Sequence, residues 1–177
     1  MRRFEYVVPV DFWGAKEILE QKATFLRRSK IEDAYFSGPG DAIARLWKQD
    51  SLTRLSCTKK EVIDEIIEAY ETVVLDHRAS IAMLDMLGFS KSEEIRLTRD
   101  SFRKHHYAIS LDRVEGLGDF LVLETDAGEI APARLKHTAE RFIGRLEIPL
   151  KGRPASLKTN LDSFSSLPYT RAIGIAV

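Results

Sequence analysis

Seven charged residues sit where the chain is patterned as β-strand: Glu5, Glu71, Asp112 and Glu124 on the acidic side, and Arg45, Lys59 and Arg99 on the basic side. Residues two apart share a face of a strand. By that parity Arg45 lies with Ile43 and Trp47, Lys59 with Leu55 and Cys57, Arg99 with Leu97, Asp112 with Ser110 and Ala108, and Glu124 with Val122 and Phe120. Two arrangements follow. Each charge can face solvent from a half-exposed strand, or the strands can enclose a polar interior in which acids and bases meet. In the second arrangement an arginine fork suits phosphate oxygens, a lysine serves as a point charge, and carboxylates can hold a divalent cation that shares the phosphates.

The elements that must position these residues are legible as patterns. Phe4 to Val10 is aromatic and β-branched, and Asp11 stands as an N-cap before the helical spacing Phe12, Ala15, Ile18, Leu19. Ile31 to Phe36 predicts a second strand, stopped by Ser37-Gly-Pro-Gly-Asp41; Ala42 to Lys48 and Thr53 to Lys60 predict a hairpin around Gln49-Asp50-Ser51. A strand begins near Ile67, a helix covers His77 to Leu87 with Gly88 as its stop, and Pro132 to Ile143 has a last helical pattern. Three strands fall near Glu94 to Phe102, His105 to Asp112 and Asp119 to Thr125, with short turns that imply antiparallel neighbours. The Arg27-Arg-Ser-Lys30 run reads as a solvated helix end, and His105 and His106 as strand neighbours pointing to opposite faces. From about residue 149 the chain reads as an irregular tail. The sum predicts a single α+β domain over 1–177, with roughly eight antiparallel strands, enough to close a barrel.

Composition sets the outer limits. The chain carries 27 basic and 27 acidic side chains, so no global field draws it to DNA or an anionic membrane, and any attraction for an anion is local. Cys57 is the only cysteine, which excludes an internal disulfide and a cysteine-cluster metal site. The N-terminal apolar run is broken by Glu5 and Pro9 and lacks the form of a signal peptide, and no run approaches the roughly 18 apolar residues of a membrane span. A cytoplasmic protein is expected. An apolar outer face or a sheet edge would support a homodimer.

Ordered short blocks resemble the CYTH superfamily of triphosphate tunnel proteins, in its class IV adenylate cyclase branch. Asp33-Ala-Tyr-Phe36 resembles the first tunnel strand, Ala42-Ile-Ala-Arg-Leu-Trp47 the arginine strand, Ser56-Cys-Thr-Lys59 the lysine strand, and Ala69-Tyr-Glu-Thr-Val-Val74 the glutamate strand. Leu111 to Glu124, LDRVEGLGDFLVLE, is similar to the most recognisable block, and Asp162 to Leu167 to a C-terminal element. The resemblance implies an antiparallel tunnel binding a nucleotide, another organic triphosphate or polyphosphate with Mg2+ or Mn2+. It implies phosphate contacts from Arg45, Lys59 and Arg99, catalytic carboxylates at Glu5, Glu71 and Glu124, metal ligation by Glu71 and Glu124, and a supporting role for Asp112. Hydrolysis would follow from attack by water, cyclisation from attack by a ribose hydroxyl. The pattern is thinned, however. The opening ExExK signature reads Arg3, Glu5, Val7, and Trp47, Leu97, Val122 and Ala69 stand where partner charges are expected. Removing an acid together with its facing base avoids stranding a buried charge, a cost of roughly 3–5 kcal/mol per broken pair. The expectation is therefore either a triphosphate enzyme or a module that keeps the tunnel and has lost catalysis.

Overall fold

The computed structural model describes residues 2–59 and 66–151. Its strands are β1 (Arg2–Pro9), β2 (Thr24–Ser37), β3 (Ala42–Gln49), β4 (Leu52–Lys59), β5 (Ile66–Val74), β6 (Ser90–Lys104), β7 (Tyr107–Val114) and β8 (Gly118–Asp126). All neighbours are antiparallel, in the order β1-β5-β4-β3-β2-β6-β7-β8, and β8 returns to β1 through seven residue pairs, so the sheet closes into a barrel. The α+β class and closed antiparallel barrel expected from the strand count are thus present.

Alternation explains why these segments close around two different fillings. Outward-facing Phe4, Phe102, Ile109, Leu111, Leu121 and Leu123 are buried beneath α1 (Phe12–Lys22) and α3 (Pro132–Leu146), whose Phe12, Ala15, Leu19, Leu135, Ala139 and Ile143 complete one core. On the opposite wall Ala34, Phe36, Ala44 and Leu46 pack under Leu84 of α2 (His77–Met86). Each large apolar side chain so buried contributes on the order of 1.5–3 kcal/mol. Between the two register shifts, odd-numbered residues from Arg27 to Tyr35 of β2 and from Glu93 to Arg103 of β6 face inward, with charged and apolar positions interspersed.

Local signals set the joints. The Asp11 carboxylate accepts from the Gly14 N–H at 2.8 Å and starts α1, while Asp76 does the same for Ala79 at 3.0 Å in α2. Asp50 takes a φ of 54° in the β3–β4 hairpin, and Gly88 a φ of 81° after α2, each where the chain must reverse.

Several expectations change. The Arg27–Lys30 run lies inside β2, which begins at Thr24 rather than Ile31, because pairing with the long β6 sustains it. The register slips between Phe25 and Arg27, leaving Leu26 as a β-bulge. His105 and His106 occupy the turn between β6 and β7, with His105 at φ 53°, so they are not alternating strand residues. At the expected start of the irregular tail, Leu150 still bridges Val10 and the Lys151 N–H donates to the Pro9 carbonyl at 3.1 Å. The remainder of that segment, including Asp162 to Leu167, lies outside the described residues.

Candidate functional site

One end of the barrel interior is a cavity of about 480 Å3. Glu5, Arg45, Glu71, Arg99 and Glu124, five residues singled out by sequence, all line it. Asp112 stands behind Arg99, and Lys59 ends β4 opposite Ala42 with its side chain outside the described residues. Arg27, Arg54, Arg103 and Gln49 also line the cavity.

Two cavity arginines rest on buried carboxylates. Arg99 donates from Nε and Nη2 to the two Asp112 oxygens at 2.7 and 2.6 Å, and Asp112 is fully buried. Their strands place these residues directly opposite each other on β6 and β7. Arg45 grips Asp33 in the same way, through Nε at 2.9 Å and Nη2 at 2.6 Å, and the Tyr35 hydroxyl donates to Asp33 at 3.2 Å. Burial works against the charged form of Arg45, but the Asp33 carboxylate, helped by Tyr35 and Glu5, outweighs it and holds the guanidinium well above its ordinary pKa. For Tyr35 burial is the main cause of a strongly raised pKa, so its hydroxyl remains a donor. Such bidentate pairs fix an arginine's plane and leave its remaining N–H groups facing the cavity.

The fourth strand adds Arg54, which is bonded to Glu71 and lies over the Trp47 ring at 5.4 Å. Across the cavity Glu5 of β1 and Glu124 of β8 are direct register partners. Two carboxylates so placed can share one divalent cation.

One rung deeper the character of the barrel changes. Val7 is opposite Val122, and these residues pack with Leu97, Trp47, Ile31, Ile95 and Phe120 into a single interior cluster. Val7, Trp47, Leu97 and Val122, where the resemblance led to expected charges, all belong to this apolar plug, and Trp47 also lines the cavity. A lone charge left among them would lack a partner.

The fit of a divalent metal can be judged from these donors. Among the described residues no three His, Cys, Asp or Glu side chains gather as a metal cage. Mg2+ and Mn2+ do not require one, since they are commonly held by one or two carboxylates plus substrate phosphates. The Glu5–Glu124 rung fits that mode, with Glu71 turned to Arg54.

Arg27, Arg54 and Arg103 escaped the sequence reading for different reasons. Arg27 shares odd parity with Asp33 and Ile31, so extending β2 backward would have found it. Arg54 shares even parity with Ser56, the face opposite to Leu55 and Cys57, which pack beside α2. Arg103 required knowing that β6 runs to Lys104.

No family model matches the chain. A curated Methanocaldococcus jannaschii protein, provisionally named an adenylate cyclase, is 29% identical over 114 residues, covering 60% of this chain and 65% of that protein. The match thus spans slightly less than two thirds of that relative's length. The structure of the PH1012 protein of Pyrococcus horikoshii superimposes with a TM-score of 0.74 at 25% identity, covering 84% of this chain and 91% of that one. A Vibrio parahaemolyticus structure carrying the same provisional name has a TM-score of 0.71 at 14% identity, covering 86% and 94%, and shows the shared fold. An eight-stranded barrel with a charged cavity defines the class. The chain thus shares the fold of these proteins, in line with the resemblance to the CYTH, or triphosphate tunnel, superfamily.

Proposed function

We propose that the cavity binds the phosphate chain of a nucleotide, organic triphosphate or polyphosphate, brought in as its Mg2+ or Mn2+ complex. The observation that carries this reading is the convergence of Arg45, Arg54 and Arg99 with the Glu5–Glu124 rung in one cavity. The charge inventory favours a metal-bound ligand. Five lining arginines, Arg27, Arg45, Arg54, Arg99 and Arg103, are set against four lining carboxylates, Glu5, Glu71, Glu124 and Asp126, plus the supporting Asp33 and Asp112. Acids and bases are thus nearly balanced among the described side chains, and a divalent cation at Glu5 and Glu124 would add positive charge for the phosphates.

In this reading Arg45 and Arg99 hold non-bridging phosphate oxygens, oriented by Asp33 and Asp112. Glu71 holds Arg54 and, with Glu124, supplies a carboxylate near the reacting phosphate. A bound metal would contribute charge neutralisation at the phosphates. The arginines would stabilise charge developing during attack by water or a ribose hydroxyl.

The plug favours a second reading, a binding module with little turnover. Val122 and Leu97 occupy positions that would otherwise extend the charged clamp, and phosphoryl transfer depends on such a clamp. Thermal melting with Mg2+ and tripolyphosphate, beside phosphate release from ATP and tripolyphosphate, separates the readings. Binding at a hundredfold over Kd stabilises by about 2.7 kcal/mol. A stabilised protein without release, or with release unchanged in Arg99→Ala, leaves the module; absence of any thermal response overturns both.

A further inference from the structure

We propose that Arg27, Arg103, His105 and His106 form a separate anion subsite at the cavity mouth, which receives the outermost phosphate of the ligand. The proposal rests on the phosphate-binding reading above and assigns a second position within it.

The supporting contrast lies in how each arginine is held. Arg45 and Arg99 rest on aspartates, and Arg54 on Glu71, so much of their charge is already balanced. Arg27 is held by a neutral group instead. Its Nη2 donates to Gln49 Oε1 at 2.9 Å, and Gln49 Nε2 donates to Ser29 Oγ at 2.8 Å, with Gln49 and Ser29 both buried. This relay fixes the guanidinium's position without neutralising it. Arg103 reaches the same cavity from β6 and makes no ion pair among the described residues.

The β6–β7 turn places two imidazoles beside these arginines. His105 adopts the left-handed backbone conformation, and the His106 ring packs 4.2 Å from Tyr107, which in turn stacks 4.5 Å from Phe142. Thus His106 is seated on a buried aromatic base. Both histidines line the cavity. Glu5, Glu124 and Asp126 occupy the β1–β8 wall, and Glu71 reaches in from β5, while the aspartate-held arginines occupy the interior from β3 and β6. The lip therefore adds positive charge where the walls are balanced or acidic.

Isothermal titration of the full chain with tripolyphosphate and Mg2+ tests the subsite. Arg27→Gln is expected to weaken binding at least tenfold, Gln49→Leu to weaken it less while leaving the Arg27 charge, and Arg103→Gln to add to the first loss. His105→Gln/His106→Gln is expected to weaken binding by a smaller factor than Arg27→Gln. Circular dichroism establishes that each variant is folded. If Arg27→Gln and Arg103→Gln bind within twofold of wild type while Arg99→Gln binds poorly, the lip is overturned and the interior phosphate site stands. Wild-type protein that binds no tripolyphosphate overturns both.

Discussion

The two halves of the barrel interior are built on the same strands, yet successive inward positions do different work. At the mouth Glu5 and Glu124 face each other; one rung down, so do Val7 and Val122. On β6, Arg99 belongs to the cavity and Leu97 to the plug. The difference shows that a closed barrel can exchange a ligand surface for packing surface rung by rung, provided that acids and bases leave together. It also shows that the remaining polar half is part of the structure: Asp33 and Asp112 are fully buried, so their arginines are needed whether or not a ligand binds.

The sharpest break of this comparison is Asp112→Ala, which strands Arg99. Urea denaturation is expected to show a loss of roughly 4 kcal/mol. A loss below 1 kcal/mol would mean that the polar half is a surface feature with no structural share. At the other end of the barrel Glu93 lies on the inward face of β6, buried and with neither carboxylate oxygen hydrogen-bonded among the described residues. Burial raises its pKa from 4.5 to about 7. Because the folded value is the higher one, the stability its neutral form contributes is fully present below about 4.5 and is lost as pH rises from there through about 7. That shift corresponds to roughly 3 kcal/mol. Glu93→Gln should flatten this part of the stability–pH curve, and a parallel curve for the variant would remove Glu93 as its source.

Leu97→Ala tests whether the plug is packed. A loss of about 2 to 3 kcal/mol in equilibrium unfolding is expected, at the lower part of the usual range because the neighbouring cavity gives side chains room to relax. The smallest effect should come from Glu124→Gln. Stability of the metal-free protein is expected to change by no more than about 0.5 kcal/mol, while Mg2+-dependent tripolyphosphate binding weakens. Destabilisation together with unchanged Mg2+ dependence would remove the carboxylate rung from the proposed site.

Strand parity made much of this arrangement legible. It grouped Arg45 with Trp47 and Arg99 with Leu97, and antiparallel turns made closure of about eight strands a natural expectation. Parity alone could not show that Trp47, Leu97, Val7 and Val122 meet, since their contacts depend on register across several strands. Nor could it recover Asp33 as the partner of Arg45, because a carboxylate beside Tyr35 has no local mark of the arginine opposite. The mouth was missed where β2 and β6 outrun their local sequence signals, as pairing between two long strands sustains both.

The bulge at Leu26 carries a consequence for how this barrel tolerates changes in chain length. Phe25 and Arg27 pair with the consecutive residues Phe102 and Ser101, so Leu26 is a supernumerary residue in a frame that then runs unbroken to Tyr35. Its removal preserves the pairing of its neighbours and keeps phenylalanine outside and arginine inside. Deleting a residue between Arg28 and Ala34 instead exchanges the two faces for the rest of the segment. Leu26 is thus the place where β2 can lose a residue without turning the barrel inside out.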